Sequence, residues 1–287
     1  MVSTVFHPSN KKAKRELKVN YNNEILPFFS KPKYLGVTLD RTLTYRQHLE
    51  PLRKKLISRV ALLRWLPGPG WGMKTLRTST LALVQSTAEH CVPARCRSAH
   101  TRLVDPVIKD TLQTVTGCMR PTLAEDLPIL AGIQPAELRR KGATLSLACR
   151  AMQPGHLLYS TFTCPPGGSA WHLKSRHPFV PAAQQLISSS DDNNRSAALC
   201  ADHRSNEKWL ENTTRLRTFI PDIGTHPRGM ALPRIAWVRL NRLRTGVGRF
   251  RSCLYKWGMT SSAACECGSK EQTVDHVLLH CAIHRTP

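Results

Sequence analysis

Cys265, Cys267, His276 and Cys281 carry the most specific chemistry in this sequence. They place three thiols and an imidazole within seventeen residues, in the order Cys-x-Cys, eight residues, His, four residues, Cys. Thiolate sulfur and neutral imidazole nitrogen are the ligands a tetrahedral Zn²⁺ prefers, and four protein ligands with no open position describe a structural rather than a catalytic ion. The single Glu266 between the first two cysteines gives a tighter bite than the two or more residues usual between zinc cysteines. Gly268 permits a reversal after the first pair, and Thr273 to Cys281 reads as a short helix or turn presenting the second. His280 and His284 are alternative nitrogen donors. Two buried thiols beside ordinary helix histidines are the plainer reading of the same residues.

The segment in front of this cluster is basic and helical. Beyond Pro233, the spacing of Ala236, Leu240 and Leu243 predicts one apolar face, Arg234 and Arg242 fall opposite, and Gly246 to Gly248 end the element. Arg244, Arg249, Arg251 and Lys256 follow closely. Such cations hold phosphates by charge and hydrogen bond without reading base sequence, and Phe250, Tyr255 or Trp257 could stack on unpaired bases. Trp237 and Trp257 are equally natural core residues. A second basic helix begins near residue 45, where Leu49, Leu52, Leu56, Val60 and Leu63 form a stripe and Arg46, Arg53, Lys54, Lys55, Arg59 and Arg64 flank or oppose it. Pro51 in its first turns is expected to mark its start, and Pro67-Gly68-Pro69-Gly70 its end. The candidate nucleic-acid contacts are therefore Arg53, Lys54, Lys55 and Arg59 on this helix, and Arg234, Arg242, Arg244, Arg249, Arg251 and Lys256 further on.

Charge supports that assignment. Lys plus Arg number 42 against 19 for Asp plus Glu, a formal charge of +23 over 287 residues, which makes a polyanion the natural partner. RNA or DNA leads. An anionic membrane is the competitor, but the sequence has no apolar run of about eighteen residues, and Met1 to Asn10 lack the zones of a signal peptide. An intracellular chain is expected, nuclear or cytoplasmic, with no membrane partner. Lys11-Lys12-Ala13-Lys14-Arg15 fits a nuclear-import signal or a solvated turn. Of ten cysteines, Cys91, Cys96, Cys118, Cys149, Cys164, Cys200 and Cys253 are scattered, and are expected to be reduced and mostly buried.

The remaining elements set the fold class as mainly α with a small N-terminal β edge. Val2 to Phe6, the alternating Leu17 to Tyr21 and the β-rich Lys33 to Leu39 read as strands at the edge of one small sheet, closed by an Asp40-Arg41 turn. A helix from near Lys74 to Cys91 is expected to stop at Pro93. The next has Asp105 as N-cap, Pro106 at the first helical position, Ile108, Leu112 and Val115 on one face, and Gly117 just past its end. After Gly132-Ile133-Gln134-Pro135, another runs from Ala136 to about Met152. Prolines, glycines and serines then interrupt residues 153–205, with one short helix at Ala182 to Ile187, so this stretch is read as a linker. The expected divisions are 1–44, 45–152, 153–205 and 206–287.

Several motifs occur in order: Tyr34-Leu35-Gly36-Val37-Thr38-Leu39-Asp40 with Leu43-Thr44-Tyr45 and His48; Ala88-Glu89; Thr116-Gly117-Cys118 with Arg120-Pro121; Leu130-Ala131-Gly132-Ile133 with Leu138-Arg139-Arg140; and Leu240 to Gly246 through Lys256-Trp257-Gly258 to the Cys/His cluster. Together they closely resemble the reverse transcriptases of non-LTR (LINE-type, jockey-like) retrotransposons. The resemblance implies the end of a polymerase palm, a helical thumb-like bundle that tracks the primer and template backbone, and a zinc-knuckle-like tail that helps place RNA on its target. It also implies an upstream polymerase part as partner. There the family's aspartates, including a Tyr/Phe-x-Asp-Asp turn, would hold two Mg²⁺.

This sequence departs from the family in having neither catalytic aspartate motif. Its one Asp-Asp pair, Asp191-Asp192, follows Ser188-Ser189-Ser190 and reads as a solvated turn. Asp40 and Asp105 read as turn and cap. His90 and Arg95 stand where the family commonly has tyrosine and tryptophan, and the acids needed for an RNase H domain are not in place. No catalytic residue is assigned, and no polymerase activity is expected of the chain alone. The expectation is a C-terminal reverse-transcriptase fragment that binds template RNA or target DNA. The alternatives are a free-standing zinc-dependent nucleic-acid-binding protein and a non-functional relic of a mobile element.

Overall fold

The computed structural model describes residues 1–6, 16–66, 72–95, 98–160, 216, 219–220 and 227–284. The basic run at Lys11, the Pro67 to Gly70 terminator, the Ala182 to Ile187 helix, Asp191-Asp192 and most of the expected linker lie outside them, as do Cys96, Cys164 and Cys200. The described residues are mainly α-helical, with two small two-stranded ladders. None of these helices is long and apolar enough to cross a membrane.

The ladders are separate hairpins rather than the edge of one sheet. Strands β1 (Asn20–Tyr21) and β2 (Glu24–Ile25) pair antiparallel, as do β3 (Lys33–Tyr34) and β4 (Val37–Thr38), and a single parallel bridge joins Ser3 to Phe28. Local turn chemistry explains their shortness. Asn22 and Asn23 both have positive φ, at 50° and 62°, and Leu35 and Gly36 repeat this at 45° and 82°, the two-residue hairpin geometry that matches strand twist. Much apolar side chain stays exposed on this stretch, including Ile25, Tyr34 and Leu35.

Helix α1 (Arg46–Trp65) buries the expected stripe: Leu49, Leu56 and Leu63 are fully enclosed, with Leu52 and Val60 nearly so. It begins five residues before Pro51, which lies inside the helix instead of marking its start. Proline tolerates an early turn because little of the hydrogen-bond ladder precedes it. The second helical stretch contains α2 (Met73–Thr80), a π-helical turn Leu81–Gln85 and α3 (Ser86–Glu89). It passes through Cys91, at φ 55°, into the short α4 (Val92–Arg95), so Pro93 sits in a new turn instead of stopping the old one. Helices α5 (Asp105–Thr116) and α7 (Ala136–Ala151) match the expected spans, and Ile108, Leu112 and Val115 are buried. Between them lies the wholly buried α6 (Asp126–Ala131), too short and too uniformly apolar to show a helical period in the sequence. Helices α8 (Arg234–Thr245) and α9 (Arg251–Lys256) precede the Cys/His segment.

Two compact units emerge, neither continuous in sequence. One comprises Met1–Val60, Ala82–Ile108 and Ala136–Arg204; the other comprises Ala61–Leu81, Lys109–Pro135 and Ser205–Pro287. In the first, α4 packs on α7, and a bidentate ion pair joins Arg139 to Glu89 (Nη2 to Oε2 2.8 Å). Asp105, expected as the N-cap, is instead the first residue of α5, behind the Val104 carbonyl that accepts the Val107 and Ile108 N–H groups; its carboxylate receives Arg140 at 2.6 Å and so anchors α7. Asp40 organises the turn before α1: its carboxylate accepts from the Thr44 and Tyr45 N–H groups, at 2.9 and 2.7 Å, and from the Thr42 and Thr44 hydroxyls. Burial pushes its pKa up, but these hydrogen bonds outweigh burial and hold it below the ordinary value.

In the second unit, Gly117 closes α5 at φ +69°, and an added Cβ would stand 2.2 Å from the Val238 side chain of α8. Asn241, fully buried on α8, donates to the Thr116 carbonyl at 3.0 Å. The Arg234 guanidinium donates to the carbonyls of Thr114 and Val115, satisfying acceptors that a helix end leaves free. The inward face of α8 is therefore Trp237, Asn241 and Arg244, and not the expected Ala236, Leu240 and Leu243, which are half-buried.

Candidate metal centre

The four expected ligands converge. Cys265 and Cys281 are buried, Cys267 and His276 half-buried, and their ligand atoms all lie within 4.8 Å of one another. Local backbone chemistry builds this. Cys265 N–H donates to the Ser269 carbonyl at 2.9 Å and Gly268 N–H to the Cys265 carbonyl at 3.1 Å, so the chain folds back within five residues. Gly268 has φ +91°, a conformation open to glycine and strained for other residues. Both first-pair sulfurs thereby face one point despite the single residue between them. The second pair comes from a π-helical turn, His276–His280, which follows Thr273, whose hydroxyl accepts the His276 N–H at 3.2 Å. Cys281 N–H closes that turn on the His276 carbonyl at 2.7 Å.

The spacing fits a tetrahedral ion. Sulfurs bound at about 2.3 Å stand about 3.8 Å apart in a tetrahedron; Cys265 Sγ and Cys281 Sγ are 3.7 Å apart. Cys267 Sγ and His276 Nε2, at 3.1 Å, are in hydrogen-bond contact and would separate slightly around an ion. His276 therefore supplies the nitrogen, while His280 and His284 are exposed and outside the group.

Electrostatics also favours a cation. The backbone N–H of Cys267, opposed by burial and helped by hydrogen bonds from Cys267, Cys281 and His276, lowers the Cys265 pKa to about 6. The Ser269 N–H pulls Cys267 down, but burial and the neighbouring Cys265 and Cys281 sulfurs raise it on balance. A first negative charge forms readily and a second is resisted, the condition that a divalent ion relieves.

A shell of hydrogen bonds holds the ligands. Gln272, nearly buried, donates Nε2 to Cys265 Sγ at 3.6 Å. Its Oε1 accepts the Arg251 N–H at 2.9 Å, and its carbonyl accepts the Ser252 N–H at 3.3 Å. Arg251 pairs with Glu266 at 2.7 Å, the residue between the first two cysteines. Sequence spacing does not single out Gln272, because an amide bridging a thiol and a helix end has no linear pattern.

The ten candidate phosphate contacts fall into two groups. Arg53, Lys54 and Lys55 on α1, and Arg249 and Lys256 beside α9, are exposed. Four of the others are at least partly turned to structural use. Arg59 donates to the Leu83 carbonyl and Thr87 hydroxyl, Arg234 to the end of α5, and Arg251 to Glu266 and the Ala264 carbonyl. Arg244 is buried, with Nη2 on the Arg228 carbonyl at 2.7 Å, and half-buried Arg242 has an enclosed Nε with no hydrogen-bond partner. Burial lowers the pKa of Arg234 and Arg244, and both remain charged at neutral pH. Of the aromatics, Trp237 is core, Tyr255 is exposed, and Phe250 and Trp257 are half-buried.

The scattered cysteines are free thiols where described, but only Cys118 is buried. Cys149 is exposed on α7, and Cys253 on α9 and Cys91 in the turn between α3 and α4 are half-buried, placements that a single cysteine in the sequence does not define. Comparison with protein-family models, curated proteins and solved structures found no match.

Proposed function

We propose that this chain is a nucleic-acid-binding protein held together by a structural zinc ion, and that it corresponds to the C-terminal part of a non-LTR retrotransposon reverse transcriptase. The observation that carries the reading is the convergence of Cys265, Cys267, His276 and Cys281 within 4.8 Å, linked through the Gln272 side chain to the start of basic helix α9. A bound Zn²⁺ would cross-link two turns that bury few apolar side chains. With all four positions taken by protein, the ion has no role in bond-making. The exposed Arg53, Lys54, Lys55, Arg249 and Lys256 supply charge for phosphates, and the formal +23 supplies long-range attraction.

The order of motifs from Tyr34 to Cys281 supports the mobile-element reading, with Mg²⁺ chemistry left to an upstream polymerase part. Several motif residues have structural uses in the fold: Glu89 pairs with Arg139, Asn241 with the carbonyl of Thr116, and Asp40 holds the turn before α1. A second reading, a free-standing zinc-dependent nucleic-acid-binding protein, is favoured because the ligand cluster and the exposed cations are all supplied by the described residues.

Metal analysis of the purified chain, paired with RNA and duplex-DNA binding over about 50 to 200 mM salt, tests the common core of both. One zinc per chain and steeply salt-dependent binding are expected. Metal-free protein, or binding indifferent to salt, would overturn it. Restoration of primer extension by an added upstream palm separates the first reading from the second.

A further inference from the structure

We propose that Gln272 is a positioning residue that couples metal occupancy to the order of helix α9, so that zinc loading regulates nucleic-acid binding by the cations around that helix. The inference rests on the zinc reading above and adds a regulatory link to it.

Gln272 touches both parties at once. Its Nε2 donates to the Cys265 sulfur at 3.6 Å, while its Oε1 accepts the Arg251 N–H at 2.9 Å and its carbonyl the Ser252 N–H at 3.3 Å. Those are the first two N–H groups of α9, which a helix cannot satisfy internally. The Gln272 N–H is itself fixed on the Ala263 carbonyl at 2.8 Å. A parallel strap comes from Arg251, whose guanidinium reaches the Ala264 carbonyl at 3.4 Å and the Glu266 carboxylate at 2.7 Å. The ligand loop and the start of α9 thus share two connections, both through residues adjacent to Cys265 or bonded to it.

The physical consequence follows from helix length. Six residues cannot sustain a helix in water without tertiary support, so α9 depends on its external partners. A metal ion that fixes the Cys265 sulfur fixes the acceptor for the Gln272 amide, and with it the side-chain Oε1 that caps Arg251. Removing the ion frees the ligand loop, and the cap loses its anchor. Arg249 and Lys256, the exposed cations flanking α9, then lose a fixed spacing. The loaded and metal-free forms should differ in phosphate binding although no cation touches the metal.

The test uses the full chain with Zn²⁺, and with Co²⁺ as a spectroscopic reporter. Hydrogen exchange of amides 251–256 is followed with and without a chelator, beside the salt-dependent affinity for a single-stranded RNA. Chelation is expected to speed exchange there and to weaken RNA binding. Gln272→Leu should lower metal affinity roughly 10–100-fold, as loss of outer-shell partners does, and loosen α9 even at saturating metal. Gln272→Glu is the control for misfolding. It keeps an oxygen for the Arg251 N–H but cannot donate to the sulfur, so metal affinity should fall while α9 stays protected in the loaded protein. Unchanged metal affinity in Gln272→Leu, or α9 exchange indifferent to chelation in a parent that binds metal, overturns the coupling and leaves the zinc reading standing. A parent that takes up neither ion overturns both.

Discussion

Cys265 and His48 show how local partners set protonation in this molecule. At about 6, the Cys265 pKa lies below that of an ordinary thiol, so at pH 7 one thiolate already waits for the ion, while Cys267, held above its ordinary value, gives up its proton on binding. Below pH 6 one more proton must leave, and metal affinity should fall more steeply; competition titrations between pH 5.5 and 8 should show that steepening. The Cys265→Ser, Cys267→Ser pair should abolish uptake, since two remaining ligands cannot hold the ion; full zinc content in that variant would remove the site from consideration. His48 is different. Burial first, then the charges of Arg95, His90 and Lys33, lower its pKa, and its Nδ1 accepts the Thr38 N–H at 3.4 Å, which requires the neutral ring. Because the folded pKa is depressed, the unfolded chain takes up the proton first. This contribution to stability is complete above the unfolded value near 6.5 and is lost as pH falls through the folded one. The melting temperature should drop as pH is lowered through this window, and His48→Gln should flatten the drop.

Contacts between helices carry the next level. Gly117 ends α5 at φ +69° against the Val238 side chain, so Gly117→Ala combines a left-handed backbone with a direct overlap. Roughly 2–5 kcal/mol of destabilisation is expected in denaturant titrations, from about 1–2 for the backbone and 1–3 for overpacking. Val238→Ala should recover part of the loss in the double variant, because it removes the Cγ2 that stands 2.2 Å from the added Cβ and leaves the backbone strain. Arg95 does two jobs inside the first unit. It is almost fully buried and donates to the carbonyls of Ala88 and His90, the open end of α3. A charged side chain there supplies both space-filling and helix-end satisfaction.

For the whole molecule, the excess of 23 positive charges predicts binding governed by counterion release. The slope of log affinity against log salt should change by about 0.7–0.9 for each phosphate that a substitution leaves without its cation. Replacing exposed Arg249 and Lys256 with Gln should therefore flatten the slope and leave the melting temperature nearly unchanged. Arg234→Gln and Arg244→Gln should do the reverse, since these guanidiniums hold the carbonyls of Thr114, Val115 and Arg228. A melting temperature unaffected by Arg244→Gln would contradict that structural role.

The sequence by itself determined what depends on neighbours along the chain. The apolar stripe of α1, the boundaries of α5 and α7, and the metal ligand set were legible, since period, proline or glycine punctuation and ligand spacing are linear properties. Only the tertiary structure decided what depends on partners distant in sequence. It split the expected sheet edge into two hairpins, turned Trp237, Asn241 and Arg244 inward on α8, and chose His276 over His280 and His284. It also made four of the ten candidate phosphate contacts, Arg59, Arg234, Arg244 and Arg251, into structural donors. An arginine reads the same in sequence whether a phosphate or a helix-end carbonyl receives its hydrogen bonds, and that choice is made by whichever acceptor the fold brings within about 3 Å.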